Sequence, residues 1–395
     1  MANCLFIFAV TVTTLVAMIV GLYWNQDLPE GLPYDQQFGA RFVGANLDVY
    51  RFLVRAASFV GIGDSPIENL NYLLNVAEQI FAPDEEPGLD IYDTKIANVP
   101  VRVYKPKHPD AKSTGVVYIH GGGWTIGSVA MYHPLTYQLA KEANAVLISV
   151  EYRLAPKHTF PTQFHDCYSV VTTVLNTADK YGIDPNRVVV AGDSAGGNLA
   201  TAIALKLRDE NKRLAAQILL YPGVQFLDLS LPSFKTKGSP ILSQRDVAEY
   251  WSYYMTGTPN LASTFLANNH SVHLRNTKYS SYVGVKDKEQ QKAPKTPPEN
   301  IPKAVIDGLI DYRVSPLMAD SLKGLPKTLL ITCEYDVLKD DGLLYKARLL
   351  GEGVKVTHLN YMTYHAFLAY QSVPFLTTEE FSQGLRDITD YLREL

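Results

Sequence analysis

Ser194 stands among small and acidic residues in Gly192-Asp193-Ser194-Ala195-Gly196, a G-x-S-x-G pattern. A serine hydroxyl is a weak nucleophile. It becomes useful when a base takes its proton and fixed N–H donors receive the charge that forms on an attacked carbonyl. A second run, His120-Gly121-Gly122-Gly123-Trp124, suits those donors, because three glycines let the backbone approach an oxyanion without Cβ interference. The amide after the nucleophile belongs to Ala195. Gly121, Gly122, Gly123 and Ala195 are therefore the expected oxyanion donors, with His120, Gly192, Asp193 and Gly196 as supporting motif positions. The chemistry is acyl transfer at an ester or amide carbonyl, with water cleaving the acyl-enzyme.

Such a serine needs a base and an orienting carboxylate, in the chain order Ser, Asp or Glu, His. Four histidines follow Ser194: His270, His273, His358 and His365. The first two fall in a long insert, and His358 sits inside an expected strand over 354–359. His365 follows that strand in a loop and can reach a neighbouring strand end. Asp336 directly follows an expected strand over 328–332, whereas Asp340 and Asp341 are expected to cap or solvate the next helix. The expected triad is Ser194, His365 and Asp336.

These residues act together only if the elements carrying them bring them to one edge. Short apolar runs at 116–119, 145–150, 187–191, 216–221, 328–332 and 354–359 read as buried strands. Helix-like stretches lie between most of them, at 131–143, 163–181, 194–210 and 338–351, with a last one at 377–394. That alternation predicts an α/β fold with a mostly parallel sheet covered by helices on both faces. Ser194 then sits at a strand-to-helix turn. A serine there could merely cap the helix, but the glycine triplet after its own strand argues for the chemical role. Residues 34–82 read as helical and 89–106 as a strand pair. About a hundred residues separate the strands at 216–221 and 328–332. That insert holds an aromatic-rich helical stretch, Ser243 to Gly257, and a Lys- and Pro-rich stretch over 285–303, read as a solvated loop.

Composition narrows the class. The 395 residues are 47% apolar and 19% charged with net charge −4, and no long basic block occurs, so nucleic acid is not an expected partner. Three scattered cysteines make neither a disulfide framework nor a zinc site. No P-loop, HExxH or GxGxxG occurs, so neither a metal nor a cofactor is implied. Cys4 to Trp24 holds 21 residues without a charge, enough for a helix across a bilayer core of about 30 Å. It is longer than the apolar stretch of a signal peptide, and Tyr23 and Trp24 suit the interface. Residues 1–24 are read as a signal-anchor. The lone sequon Asn269-His270-Ser271, a candidate glycosylation site, agrees with a lumenal or extracellular body.

HGGGW (120–124), VEYRLAPKHTFP (150–161), GDSAGGNLA (192–200), EYDVLKDDG (334–342) and YHAF (364–367) together resemble the hormone-sensitive-lipase group of α/β-hydrolases, and within it the arylacetamide deacetylase subfamily. The resemblance spans most of the chain beyond residue 90. It implies the α/β-hydrolase fold and the triad Ser194, Asp336 and His365. It also implies a single-pass protein with its body in the endoplasmic-reticulum lumen, and a small lipophilic ester or amide as substrate. A helical cap would form from residues 25–88 and an insert of about 223–326, over a catalytic domain of 89–395. Tyr152 and Arg153 match the group and are expected to hold the loop beside the site. One departure is Ala366, where the group commonly has glycine after the histidine. A lipid ester hydrolase, and a ligand-binding receptor on the same fold, are the alternative functions; an intact triad speaks against the receptor.

Overall fold

The computed structural model describes residues 18–63, 65–81, 88–108, 113–275, 277–283, 298, 301–369 and 378–395. The expected membrane helix lies largely outside them. Residues 18–25 are helical, and among the described residues no helix is long and apolar enough to cross a membrane. Most of the Lys- and Pro-rich stretch also lies outside.

The helical reading of 34–82 resolves into two helices, α1 (Tyr34–Phe59) and α2 (Pro66–Phe81). They part where Gly61 and Gly63 adopt φ of 77° and 79°, conformations that end a helix. The strand pair follows as β1 (Leu89–Ile96) and β2 (Val99–Pro106), antiparallel, joined by Ala97 and Asn98. Both turn residues have positive φ, as a two-residue hairpin turn of matching twist requires.

Then come β3 (Ser113–Ile119), α3 (His133–Glu142), β4 (Val146–Val150), α4 (Thr162–Asn176), β5 (Ile183–Asp193), α5 (Ser194–Asp209) and β6 (Ala216–Leu220). The insert carries α6 (Gln244–Thr256) and three short helices, α7 (Ala262–Leu266), α8 (Lys278–Tyr282) and α9 (Lys303–Gly308). The chain closes with β7 (Lys327–Tyr335), α10 (Lys339–Gly351), β8 (Val356–Tyr364) and α11 (Glu379–Arg393). Eight strands make one sheet in the order β1-β2-β4-β3-β5-β6-β7-β8, parallel from β4 to β8. Every residue of β3, β4 and β6 is buried, as expected for central strands covered on both faces. Two large apolar clusters flank the sheet. One gathers Val117, Ile148 and Val190 with α4 and α5, and the other Tyr118, Leu147 and Val189 with α3 and α11.

Register aligns the chemistry at one end of the sheet. Ile119 pairs with Gly192, so the glycine triplet and the serine motif leave adjacent strands side by side. Tyr335 pairs with Tyr364 beyond an irregularity at Cys333, so Asp336 and His365 are each the next residue of neighbouring strands. Here the structure differs from the sequence reading. β8 runs on to Tyr364, past Leu359, because its tyrosine-rich second half keeps pairing with β7. His365 is therefore the first residue after the strand.

Candidate active site

Ser194 is the first residue of α5 and has φ 51°, in the left-handed region that disfavours a side chain. The surrounding packing enforces it. A Cβ on Gly192 would lie 2.5 Å from the Gly196 backbone, and one on Gly196 would lie 2.0 Å from the Ile119 carbonyl oxygen. Side chains at either position would push β3, β5 and α5 apart. The N-cap position belongs to Asp193, so Ser194 is not serving as a cap.

The imidazole of His365 joins the serine to the acid. Its Nδ1 donates to Asp336 Oδ2 at 2.7 Å, and its Nε2 lies 2.9 Å from Ser194 Oγ, placed to accept the hydroxyl proton. Asp336 has no exposed surface and His365 only 3%. The other Asp336 oxygen accepts from the Leu338 amide at 2.9 Å. The carboxylate is thus held from both sides and fixes the tautomer that leaves Nε2 free to act as a base. The Tyr221 ring meets His365 edge-on at 4.9 Å and closes its remaining side. Ala366 has φ 61°, so alanine occupies a conformation that suits glycine.

Asp193, the unspecified residue between Gly192 and Ser194, has a structural task that its motif position did not reveal. Its Oδ1 accepts from the Gly121 amide at 2.8 Å and from Tyr118 OH at 2.9 Å, and its Oδ2 from Tyr132 OH at 2.9 Å. Burial pushes this carboxyl up to about 6, opposed by those donors. It welds the glycine triplet to the serine motif. It also corrects the oxyanion set, since the Gly121 amide is spent on Asp193. A Cβ on Gly121 would lie 2.4 Å from that carboxylate, so this glycine is required for closeness to Asp193 and not to a substrate. Gly122, Gly123 and Ala195 line the cavity above Ser194 and remain as candidate donors.

His120 is fully buried, stacks on Tyr152 at 4.3 Å, and has its Nδ1 2.8 Å from the Gly121 carbonyl. Burial lowers it to about 4, so it is a neutral spacer under the loop. Tyr152 OH donates to the His120 carbonyl at 2.8 Å, and Arg153 grips Asp166 with two N–H groups at 2.7 and 2.9 Å. Both hold the loop. Among the other histidines, His358 lies within 2.9 Å of Thr332 Oγ1, and His270 lies buried against the Phe226 carbonyl at 2.9 Å. The expectation for Asp341 is overturned. It is fully buried, accepting from the amides of Val224 and Gln225 and from Gln225 Nε2, and burial raises it to about 7. Asp340 accepts from the Ser233 amide. Both bind the start of the insert to α10.

A family profile described as alpha/beta hydrolase fold matches residues 116–288 and 299–369, a span holding every residue of this relay. The chain belongs to the alpha/beta hydrolase family. This hydrolase is 37% identical to arylacetamide deacetylase of Oryctolagus cuniculus over 381 residues, covering 91% of its own chain and 94% of that protein. It is 32% identical to neutral cholesterol ester hydrolase 1 of Pongo abelii over 386 residues, covering 89% and 93%. Among solved structures it resembles a thermophilic carboxylesterase cloned from a metagenomic library, with TM-score 0.64 and 25% identity over 83% of this chain and 97% of that one.

The hydrolase keeps its relay at the floor of a cavity of about 1080 Å³, counting the open mouth. Leu47 and Arg51 of α1, Leu70 and Leu74 of α2, and Val247, Tyr250 and Trp251 of α6 line it from above. α6 begins with a reciprocal cap between Ser243 and Asp246 and ends at Gly257 in a left-handed conformation. Trp124 continues the apolar wall by stacking on Tyr254 at 4.4 Å. The lining offers hydrocarbon and aromatic surface with few polar groups away from Ser194, which favours a lipophilic ligand.

Proposed function

We propose that this hydrolase cleaves carboxylic esters or amides of small lipophilic substrates through a Ser194–His365–Asp336 triad and an acyl-enzyme. The observation that carries the reading is the continuous hydrogen-bonded relay from Ser194 Oγ to Asp336 at the floor of a largely apolar cavity. Ser194 Oγ attacks the carbonyl while His365 Nε2 takes its proton. Amides among Gly122, Gly123 and Ala195 receive the oxyanion, aided by the N-terminus of α5. His365 then protonates the leaving group, and water repeats the sequence on the acyl-enzyme. No cofactor enters. The test is hydrolysis of short p-nitrophenyl esters together with fluorophosphonate labelling. Wild type is expected to do both and Ser194→Ala neither. Full turnover or labelling by the alanine variant would exclude the reading, and ligand binding without turnover by wild type would favour a receptor.

Substrate class has two candidates. The name arylacetamide deacetylase of one relative supports an aryl amide, and the name neutral cholesterol ester hydrolase 1 of another supports a bulky lipid ester. The apolar lining of the cavity favours lipophilic acyl or leaving groups in either case. A kcat/KM series over acyl chain length, with matched aryl amides, separates them.

The reading includes a membrane anchor at residues 1–24, with the body in the endoplasmic-reticulum lumen and Asn269 glycosylated. The uncharged Cys4–Trp24 run and the sequon support it. In sealed microsomes the body should resist added protease, and endoglycosidase should shift the protein's mobility. Digestion from the cytosolic side would sink the lumenal placement.

A further inference from the structure

The α1–α2 hairpin has two unlike surfaces. Its inner side lines the cavity through Leu47 and Leu74. Its tip is exposed and apolar: Phe59 is 92% exposed, Val60 66% and Ile62 63%. Single exposed apolar residues are ordinary on any protein. Their concentration here is not, since eleven of the fifteen large apolar side chains that stand exposed among the described residues precede residue 77. Residues 56–63, AASFVGIG, hold no charge. Large exposed apolar patches mark surfaces that meet a partner or a membrane.

We propose that this tip docks into the surface of a lipid bilayer, so that the hairpin roofing the cavity delivers lipid-dissolved ester to Ser194. The proposal rests on the anchored-hydrolase reading above. Backbone chemistry favours lipid. An apolar medium penalises every unpaired N–H and C=O, and within the hairpin the amides of Val60, Gly61 and Ile62 and the Ile62 carbonyl are paired. The Ile62 amide donates to the Ala57 carbonyl at 2.9 Å, the Gly61 amide to Ser58 at 3.1 Å, and Asn69 Nδ2 caps the Ile62 carbonyl at 3.0 Å. Gly61, at φ 77°, makes this closure possible.

The chain's route supplies the surface. The uncharged run enters the body through the helical residues 18–25, where Trp24 is 73% exposed and Tyr23 packs on Phe38 of α1 at 5.9 Å. The anchor therefore meets the start of the helix whose other end is the tip. At 100° per residue, the exposed Tyr34, Phe38, Phe52 and Phe59 fall within about 60° of one another around α1. Ala45 and Val49, midway on that side, are buried beneath the rest of the body, so the exposed apolar side chains on that side lie towards the two ends of α1.

The test uses the full chain in phosphatidylcholine vesicles, with Cys4→Ser and a polarity-sensitive fluorophore on Val60→Cys; Cys167 and Cys333 are buried. Emission at position 60 should shift to the blue and be quenched by lipids brominated near the headgroup. Combining Phe59→Glu, Val60→Glu and Ile62→Glu should slow hydrolysis of a long-chain ester dissolved in the vesicles at least tenfold. Turnover of p-nitrophenyl acetate in water should be unchanged. A water-like spectrum at position 60 in protein that floats with vesicles would overturn the tip and spare the anchor. Failure of the full chain to float would overturn both. Wild-type protein inert to p-nitrophenyl acetate would reject the hydrolase reading, while the emission at position 60 still reports on the tip.

Discussion

The floor and the roof of the cavity differ in how tightly their residues are held. On the floor, Asp336, Asp193 and His120 have no exposed surface, and every polar atom of the two acids is engaged. The elbow is packed so closely that Gly192 and Gly196 leave no room for a methyl group. The roof hairpin reaches the floor through a few side-chain contacts. Asn71 accepts from the Gly127 amide at 2.9 Å, Ser128 Oγ donates to Asn75, and Gln36 Nε2 donates to the Met362 carbonyl of β8 at 3.0 Å. Its outer residues are exposed. Acyl transfer needs donors and base fixed before the carbonyl arrives, whereas admission of a substrate needs only a surface of the right polarity. The floor should therefore answer to single atoms and the roof to surface character.

The comparison breaks most easily at the relay. Ser194→Ala and His365→Ala should each lower kcat for p-nitrophenyl butyrate by about 10⁴ or more, and the double variant should lose no more than either one. Burst and steady-state kinetics on the three proteins check this. Additive losses would mean that the two side chains do not act as one unit.

Next in size is Asp193. Asp193→Ala leaves two tyrosine hydroxyls and the Gly121 amide buried without their acceptor, a cost of at least about 3 kcal/mol at roughly 1–3 kcal/mol each. It should appear as a lower urea midpoint. Asp193→Asn keeps an acceptor at Oδ1 and lets Tyr132 OH accept in turn, so it should cost far less. The pair also has a pH signature. The folded carboxyl holds its proton up to about 6, above its ordinary value of 3.8. The folded state therefore binds the proton more tightly, and this group's stabilising contribution, full below 3.8, is lost as pH rises through about 6. Asp193→Asn should flatten stability across that window, and equal slopes in urea titrations at pH 4 and pH 6.5 for wild type and variant would refute it.

Asp193 also marks where sequence reading stopped. The strand rhythm and the two motifs were legible because buried parallel strands are continuous apolar runs and because G-x-S-x-G and HGGG recur for geometric reasons. Tyr118 and Tyr132 carry no such signal. Their meeting with Asp193 depends on β3 lying beside β5 and on the path of the loop from 120 to 132. The same holds for Asp341, whose acidic character reads as surface until the insert folds back over it. Gly121 looked like a donor because its type was right, and only the third dimension reveals that its amide is committed. β8 was read too short because Asn360 and Thr363 interrupt its apolar run, although the backbone keeps pairing.

The roof is sharpened by smaller effects. Tyr250 lines the cavity, and its ring would lie 2.4 Å from a Cβ on Gly123. Tyr250→Ala should enlarge the space above the glycine triplet and lower the KM of bulky-acyl esters severalfold. It should leave kcat for p-nitrophenyl acetate within about twofold, because the relay is untouched. A uniform fall in kcat across the series would place Tyr250 with the floor.

The smallest effect belongs to the Arg51–Asp246 contact, the ion pair joining α1 to α6. Side-chain exposures of 27% and 17% leave it partly open to water, and partly exposed pairs contribute up to about 1 kcal/mol. Asp246 already serves the cap of α6 through its other oxygen, so changing Asp246 would confuse two roles. Arg51→Met keeps the aliphatic stem against the cavity and removes only the charge. Melting temperature should drop by no more than a few degrees, with KM for large esters changing more than kcat. Added salt should move wild type towards the variant, since screening weakens the same contact. A kcat loss like that of Asp193→Ala would show that the roof is wired to the chemistry, and the contrast between the two halves of the cavity would fail.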